Sequence, residues 1–439
     1  MTTTLNAIAF KAQTHPEHRF QNLYGQLNAD ALFHGWLTLN KSSAPGVDGV
    51  TATQYEAGLV DNIHQLADRL EAKQYRVRDV KRVMIPKSNG QQRPLGLPTL
   101  EDKIVQQSVS SLLQAMWEPA FSVSSYGYRP NKSAHQAVHS LQLNLQYGSY
   151  GYIVEADIKG FFDTMDHGWL LKMLSLKIDD NALLNLINQW LKAKVVDLDG
   201  SKYKPRTGTP QGGVISPILA NIYLHYTLDL WFDKVIRPTL QGQAMLVRYA
   251  DDFVVAFQYK DEAEAFYRAL PARLNKFNLT LAADKTSMKR FSRFQPTQRS
   301  TIEFLGFRLY WDTDFSGEAR VRRETSPKKH KALLAMFYAW IKANRHRRLD
   351  ALIPALNKKV QGVRNYFALS GNSRSVGRIL DGVLKSLYKW LNRRSQRKSF
   401  TWGGMKRMLN HFGFQSMRVR KPRVKVDWYF ERVCALHGQ

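Results

Sequence analysis

Apolar positions along this chain change their period several times, and each change marks an expected element. Up to residue 75 they recur at helical spacing. FQNLYGQL and YEAGLVDNIHQLADRLEAK read there as amphipathic helices, separated by the turn-forming SSAPGVDGV. The β-prone RVRDVKRVMIP then meets a Ser88-Asn89-Gly90 turn, and helix resumes at Leu100. From about residue 126 to about 315, helices alternate with short strands. One β-prone run, Tyr152-Ile153-Val154, ends near Asp157. Another, Met245-Leu246-Val247, is answered by Phe253-Val254-Val255, so LVRYADDFVVAF reads as two strands joined by a tight turn. Beyond residue 315 helical spacing returns, with Leu333, Phe337, Trp340 and Ile341 on one face and Leu380, Leu384, Leu387 and Leu391 on another. Gly403-Gly404, in SFTWGGM, is expected to break the chain near a boundary.

The chemistry sits on the strands. Tyr249-Ala250-Asp251-Asp252 holds paired carboxylates in a turn, where Asp is also common for bonding the local backbone. Asp157 supplies a third carboxylate at a strand end, although it equally suits an N-cap before residues 158–163. Carboxylates distant in sequence but able to converge in one sheet are what two-metal phosphoryl transfer needs. Mg2+ takes hard oxygen ligands and a few carboxylates suffice, so Asp157, Asp251 and Asp252 are the candidate catalytic and metal-binding residues.

Eight segments in order carry a resemblance to group II intron-encoded reverse transcriptases and maturases. They are APGVDGVT from Ala44, IPKSNGQQRPLGLPTLEDKIVQQ from Ile85, SYGYRPNKSAHQAV from Ser125, VEADIKGFFD from Val154, GTPQGGVISPILANIYL from Gly208, RYADDF from Arg248, LAADKT from Leu281 and EFLGF from Glu303. The resemblance implies an RNA-directed DNA polymerase with an α/β right-hand fold, in which fingers and an antiparallel palm sheet are followed by an α-helical thumb and maturase domain. On that reading residues 1–75 are a helical extension and the start of the fingers, and 76–315 are fingers and palm. Residues 316–400 are thumb and maturase X domain, and 401–439 a small basic DNA-binding segment. Lys87 and Arg93 match the residues that grip the triphosphate, and Phe161 matches the bulky residue that excludes a ribose 2′-hydroxyl. The glycines of GTPQGG are expected to bring backbone and Gln211 close to nucleotide and template. Lys285 is a candidate charge or acid for the pyrophosphate leaving group, and Gly306 suits either close approach of the primer or a turn.

Charge sharpens the picture. Of 64 Lys and Arg against 36 Asp and Glu, 29 and 6 lie beyond residue 315, so +23 of the net +28 belongs to the C-terminal part. A polyanionic partner is the first reading of such an excess. VQGVRNYFALSG from Val360 and LYKWLNRRSQRKSFTW from Leu387 extend the resemblance into the maturase region. There Arg393, Arg394, Arg397 and Lys398, beside Tyr388, Trp390 and Trp402, combine charge with stacking surface and are the candidate RNA-binding residues. The same aromatics also suit a helix-bundle core. RVRKPRVKV from Arg418 would suit phosphate contacts.

The expected partners are intron RNA, an RNA template, a DNA primer and target, and dNTPs, with Mg2+ as cofactor and no membrane. Cys434 is the single cysteine, which leaves neither a disulfide framework nor the Cys/His endonuclease site that many relatives append, so an endonuclease-less, IIC-like class is expected. With no apolar signal core and no apolar run of about 18 residues, a cytoplasmic protein is expected. Two alternatives are an RNA-binding splicing cofactor with a decayed polymerase, which the intact Asp157, Asp251 and Asp252 oppose, and a domesticated polymerase of host defence or repair.

Overall fold

Short polar side chains start the first helices. Asn28 accepts from the Ala31 amide, Thr51 from Gln54 and Thr99 from Asp102, each relieving a donor that a first turn leaves unpaired. The helices Ala29–Thr38, Ala52–Glu56, Leu59–Glu71 and Leu100–Trp117 bury Trp36, Leu66, Leu70, Ile104, Leu112 and Trp117 in one apolar cluster. The single helix expected over YEAGLVDNIHQLADRLEAK is thus two, parted at Gly58, where Nδ2 of Asn62 donates to the Tyr55 carbonyl at 3.0 Å. The FQNLYGQL helix does not form. Phe20 spends its backbone on Lys177 and Asp179, at 2.8 Å each, and Asn22 takes a φ of 51°, leaving only the 3-10 turn Tyr24–Gln26.

The computed structural model describes residues 2–86, 92–294 and 300–417. They divide into two units, Met1–Leu141 with Gly148–Arg290 and Gln142–Tyr147 with Phe291–Gln439. Lys87, and everything from Arg418 on including RVRKPRVKV and Cys434, lie outside the described residues.

The first unit contains two sheets. Val80–Pro86 (β1) and Gln92–Leu97 (β2) form the expected hairpin. Tyr152–Asp157 (β3) opens the second sheet, and Val195–Val196 (β4) with Lys202–Tyr203 (β5) extends the first in the order β2-β1-β4-β5. Ala244–Tyr249 (β6), Asp252–Phe257 (β7) and Ser287–Arg290 (β8) complete the other sheet in the order β6-β7-β3-β8, antiparallel throughout. Its central strands bury Ile153, Val154, Phe253, Val254 and Val255, which is why they read as continuous apolar runs.

In the second unit Thr301–Phe304 (β9), Phe307–Thr313 (β10) and Ala319–Thr325 (β11) form an antiparallel sheet in the order β11-β10-β9. Leu305 and Gly306, at φ 51° and 80°, make the two-residue turn between β9 and β10, so a turn accounts for that glycine. Helix starts at Pro327 rather than near 316, because residues 319–325 alternate in burial and pair with β10. Pro327–Asn344, Leu349–Phe367 and Ser373–Leu391 follow. Leu333, Phe337 and Ile341 are buried as expected, whereas Trp340, at the edge of that face, is half-buried. On Ser373–Leu391 the stripe is rotated toward Val376, Ile379, Val383, Leu387 and Trp390, leaving Leu380 and Leu384 half-buried. Gly403 and Gly404 do not break the chain. They sit in the first turn of the Trp402–His411 helix, where Thr401 accepts from the Gly404 amide. Among the described residues no helix is long and apolar enough to cross a membrane.

Candidate active site

β3 and β7 pair with Asp157 opposite Asp252, so the two carboxylates project from one face of the sheet. β6 closes on β7 at Tyr249 and Asp252, leaving Ala250 and Asp251 as the whole turn. Ala250 takes a φ of 56°, the left-handed backbone that the first central residue of a primed hairpin turn requires. Asp157 is not a helix cap: the short helix Phe161–Thr164 begins after Gly160, and the Asp157 carbonyl accepts from the Ala282 amide at 2.8 Å. Glu155, two residues before Asp157, points to the same face, where Lys289 and Ser287 bond its carboxylate.

A buried network holds the turn. Arg248, fully buried, donates from Nε and Nη2 to the two carboxylate oxygens of Asp229 at 2.7 and 2.6 Å. Its Nη1 reaches the Ala250 carbonyl at 3.1 Å and Oδ1 of Asn221 at 3.2 Å, and Nδ2 of Asn221 donates to the Gly127 carbonyl at 2.7 Å. A Cβ on Gly127 would lie 2.4 Å from the Ala250 nitrogen, so only glycine lets that segment pass against the turn. Asp229 ends the π-helical turn His225–Asp229, and burial pushes His225 down to about 4, so the imidazole beside the pair is neutral. Arg248 and Gly127 stand inside the RYADDF and SYGYRPNKSAHQAV segments, where sequence reasoning gave neither a role. Asp229 carries no sequence signal at all, being joined to Arg248 only by the fold.

The described residues expected to face the nucleotide lie in the same unit. Arg93 donates from Nε to Oε1 of Gln211 at 2.7 Å, and Nε2 of Gln211 lies 3.3 and 3.4 Å from the Asp163 carboxylate oxygens. The Gly96 amide donates to the Gln211 carbonyl at 2.6 Å, fastening the GTPQGG loop to β2. A Cβ on Gly208 would lie 2.7 Å from the Phe162 carbonyl, so this glycine permits close approach to the protein's own backbone. A cleft of about 370 Å³ is lined by Phe162, Asp163, Gln211, Arg82, Lys204 and Arg206. Phe161 is 1% exposed and packs on Phe162 and Tyr223, which places it in the core. Lys285 sits on Asp157, Nζ to Oδ2 at 2.5 Å. Arg393, Arg394, Arg397 and Lys398 belong to the second unit, where Arg394 is half-buried and the others exposed.

The carboxylates oppose one another. Burial, with the charges of Asp157 and Asp251 added, pushes Asp252 up to about 7, and burial raises Asp251 as well. The hydrogen bond to Asp157 raises Lys285. A site that resists its own negative charge is one that cations complete. Among the described residues no three His, Cys, Asp or Glu side chains form a ready cage. Hard divalent ions held by a few carboxylates plus substrate phosphates need none, so the donor set fits.

The model of the family described as reverse transcriptase (RNA-dependent DNA polymerase) matches residues 85–309, just over half of the chain and all three of these aspartates. The chain belongs to the reverse transcriptase family. Protein YkfC of Escherichia coli (strain K12) is 33% identical over 352 residues, 72% of this chain and 89% of its own length. Group II intron-encoded protein LtrA of Lactococcus lactis subsp. cremoris is 34% identical over 223 residues, half of this chain but only 37% of LtrA. Nuclear intron maturase 4, mitochondrial, of Arabidopsis thaliana is 27% identical over 151 residues, 34% of this chain and 18% of that protein. The expected kinship with group II intron reverse transcriptases and maturases therefore holds, as does the α/β right-hand class with its antiparallel palm sheet. As a reverse transcriptase the chain is an RNA-directed DNA polymerase dependent on a divalent metal and acting on RNA, DNA and dNTPs.

Arg248→Met leaves the Asp229 carboxylate buried and alone, an expected loss of about 3–5 kcal/mol read as a lower melting temperature. Adding Asp229→Leu removes both charges and should recover most of that stability. Primer extension by the double variant should stay about tenfold or more below wild type, about 1.4 kcal/mol of barrier, because the bond to Ala250 is not restored. Full recovery of extension would show that the pair serves the fold alone.

Asp252 also makes metal-free stability depend on pH. Its folded value, about 7, lies above the unfolded one of about 4, so stability is fully present below about pH 4 and is lost as pH rises toward 7. Asp252→Asn should therefore melt above wild type by a few kcal/mol at pH 8 in the absence of metal, and level with it at pH 4. Identical differences at both pH values would remove the electrostatic account.

Proposed function

We propose that the chain is the reverse transcriptase and maturase of a group II intron, extending a primer along an RNA template and binding intron RNA for splicing and retrohoming. The observation that carries the catalytic part is the register of β3 with β7, which sets Asp157 beside Asp252 while the Ala250-Asp251 turn brings up the third carboxylate. Asp157 and Asp251 would hold two Mg2+ with Asp252 in support. Bound there, the ions would stabilise the attacking and leaving oxygens of an in-line displacement at the α-phosphate. Arg93 and Gln211 would meet the triphosphate, their mutual bond giving way to the incoming charge, and Lys87, outside the described residues, is proposed to share that role. The Lys285 side chain is 59% exposed, so it would leave Asp157 as cations enter and face the departing pyrophosphate.

Residues 1–75 are proposed as the N-terminal extension and start of the fingers, 76–315 as fingers and palm, 316–400 as thumb and maturase X domain, and 401–439 as a DNA-binding segment. Intron RNA would engage the basic C-terminal part, including Arg393, Arg394, Arg397 and Lys398. Work on transcript and target DNA would place the protein in the cytoplasm.

Asp157→Ala and Asp251→Ala should each lower primer extension on an RNA template by about 10³-fold or more, a loss of several kcal/mol in the transition state. RNA affinity, which rests on basic surface, should stay within about threefold of wild type. Near-normal extension by both variants would sink the polymerase assignment for these residues.

Phe161 has a test of its own, because a gate and a core residue fail differently. Phe161→Ala should cost about 3–5 kcal/mol through the cavity alone; Phe161→Leu should cost less and keep the fold. If Phe161 also bounds the sugar pocket, both variants should raise the use of rNTPs relative to dNTPs. An unchanged ratio with a lowered melting temperature would leave it in the core.

A further inference from the structure

The ends of two helices in the second unit gather positive charge around one indole ring. Trp390, nine-tenths buried near the end of Ser373–Leu391, has the ammonium groups of Lys342 and Lys389 at 5.5 and 5.6 Å from its ring centre. The guanidinium carbons of Arg345 and Arg393 stand at 5.4 and 5.9 Å. Lys342 and Lys389 lie in the last turns of their helices; Arg345 caps the first, and Arg393 follows the Asn392 cap of the second. The aromatic face and the negative ends of both helix dipoles offset part of the repulsion among these cations.

Part of the cluster is bonded within the fold, Nη1 of Arg345 to the Lys342 carbonyl at 2.8 Å and Nζ of Lys389 to the Tyr338 hydroxyl at 3.1 Å, but not all of it. Nε1 of Trp390, Nε of Arg345 and Nε of the neighbouring Arg394 are buried donors, and none has a hydrogen-bond partner among the described residues. Arg394 belongs to the same cluster, since its Nη2 donates to the carbonyl of Arg347, two residues past Arg345, at 3.2 Å. A buried donor left unmade costs about 1–3 kcal/mol, so each of the three calls for a partner that the described residues do not supply. Nor, among the described residues from 326 to 417, is a carboxylate free to help. From Ser326 to Met417 the sequence has 20 Lys and Arg but only two acids, and these are engaged elsewhere, Asp350 with Arg348 at 3.1 Å and Asp381 with Lys385 at 2.8 Å. Four cations gathered at one ring, with three buried donors still unmade, suit a group with several acceptor oxygens and a negative charge, and planar guanidinium groups match a phosphate in that role.

We propose that Lys342, Arg345, Lys389, Arg393 and Arg394, around Trp390, form a cradle for a backbone phosphate of nucleic acid. The inference rests on the reading of the chain as an enzyme of RNA and DNA and deepens it in two ways. It divides the basic cluster read from the sequence, assigning Arg393 and Arg394 to a built site and leaving Arg397 and Lys398 on an exposed loop. It also recruits Lys342 and Arg345 from a helix about fifty residues upstream. A backbone phosphate carries no base identity, so the cradle sets the register of the bound strand and not its sequence.

The test uses the full chain and labelled nucleic acids of equal length, an RNA duplex and an RNA–DNA hybrid, titrated from about 50 to 300 mM salt. Lys342→Gln with Lys389→Gln alters only exposed side chains and keeps the fold, with the melting temperature as control. The comparison is Arg397→Gln with Lys398→Gln, both on the exposed loop. The cradle variant is expected to flatten the log-log salt slope by about 0.7–0.9 for each phosphate charge it no longer neutralises, and the loop variant to flatten it less. Weaker binding of the hybrid alone identifies the phosphate as that of primer and template; weaker binding of the RNA duplex identifies it as that of folded RNA. Unchanged slope and affinity on both, or a larger effect from the loop variant, would overturn the cradle. A wild type that binds both nucleic acids but extends no primer would overturn the polymerase reading and leave the cradle standing.

Discussion

The pairing of β3 with β7 is the constraint on which the site depends. It sets Asp157 opposite Asp252, and a slip of one residue would turn Asp157 to the other face of the sheet. Slippage is opposed by burial, since Ile153, Val154, Phe253 and Val255 have no exposed alternative of comparable stability. The turn needs more than register. Ala250 holds a left-handed backbone that most residues avoid, and Arg248, anchored on Asp229, bonds its carbonyl from inside. A charged pair this deep is retained at a desolvation cost that apolar residues would not incur. Here the compensation is a carboxylate-bearing turn fixed from beneath.

Electrostatics divide the two units by task. The first is nearly balanced in charge and places its acids where they raise one another's proton affinity, with Lys285 and Lys289 set against Asp157 and Glu155. The second is poor in acids and assembles cations around Trp390, with Nε of Arg345, Nε of Arg394 and Nε1 of Trp390 left without a partner among the described residues. One site calls for cations and the other for anions.

The sequence carried the strands of the candidate site openly, because β6 and β7 are largely apolar runs interrupted by the turn that bears Asp251. It also carried the β1–β2 hairpin and the buried stripe of Pro327–Asn344. It misled where backbone bonding overruled side-chain period. FQNLYGQL has helical spacing, yet Phe20 pairs with the chain around Ile178. Residues 319–325 are too charged to read as a strand, though their alternation and the pairing with β10 make them one. The Gly403-Gly404 pair looked like a breaker, but the Thr401 cap starts a helix through it. Contacts between distant residues were illegible in principle. Nothing in the sequence joins Arg248 to Asp229, or Lys342 to Trp390, and those contacts distinguish a motif from a working site.

The most direct measurement is the number of Mn2+ ions bound, by electron paramagnetic resonance titration, when the chain holds primer, RNA template and a matching dNTP, the primer ending in a 3′-deoxy residue so that no bond forms. Two ions per complex in the wild type, with loss of at least one in Asp157→Ala and in Asp251→Ala, is the result this account predicts. Two ions retained in either variant would contradict it, because the convergence of these carboxylates would then not be what holds the metal.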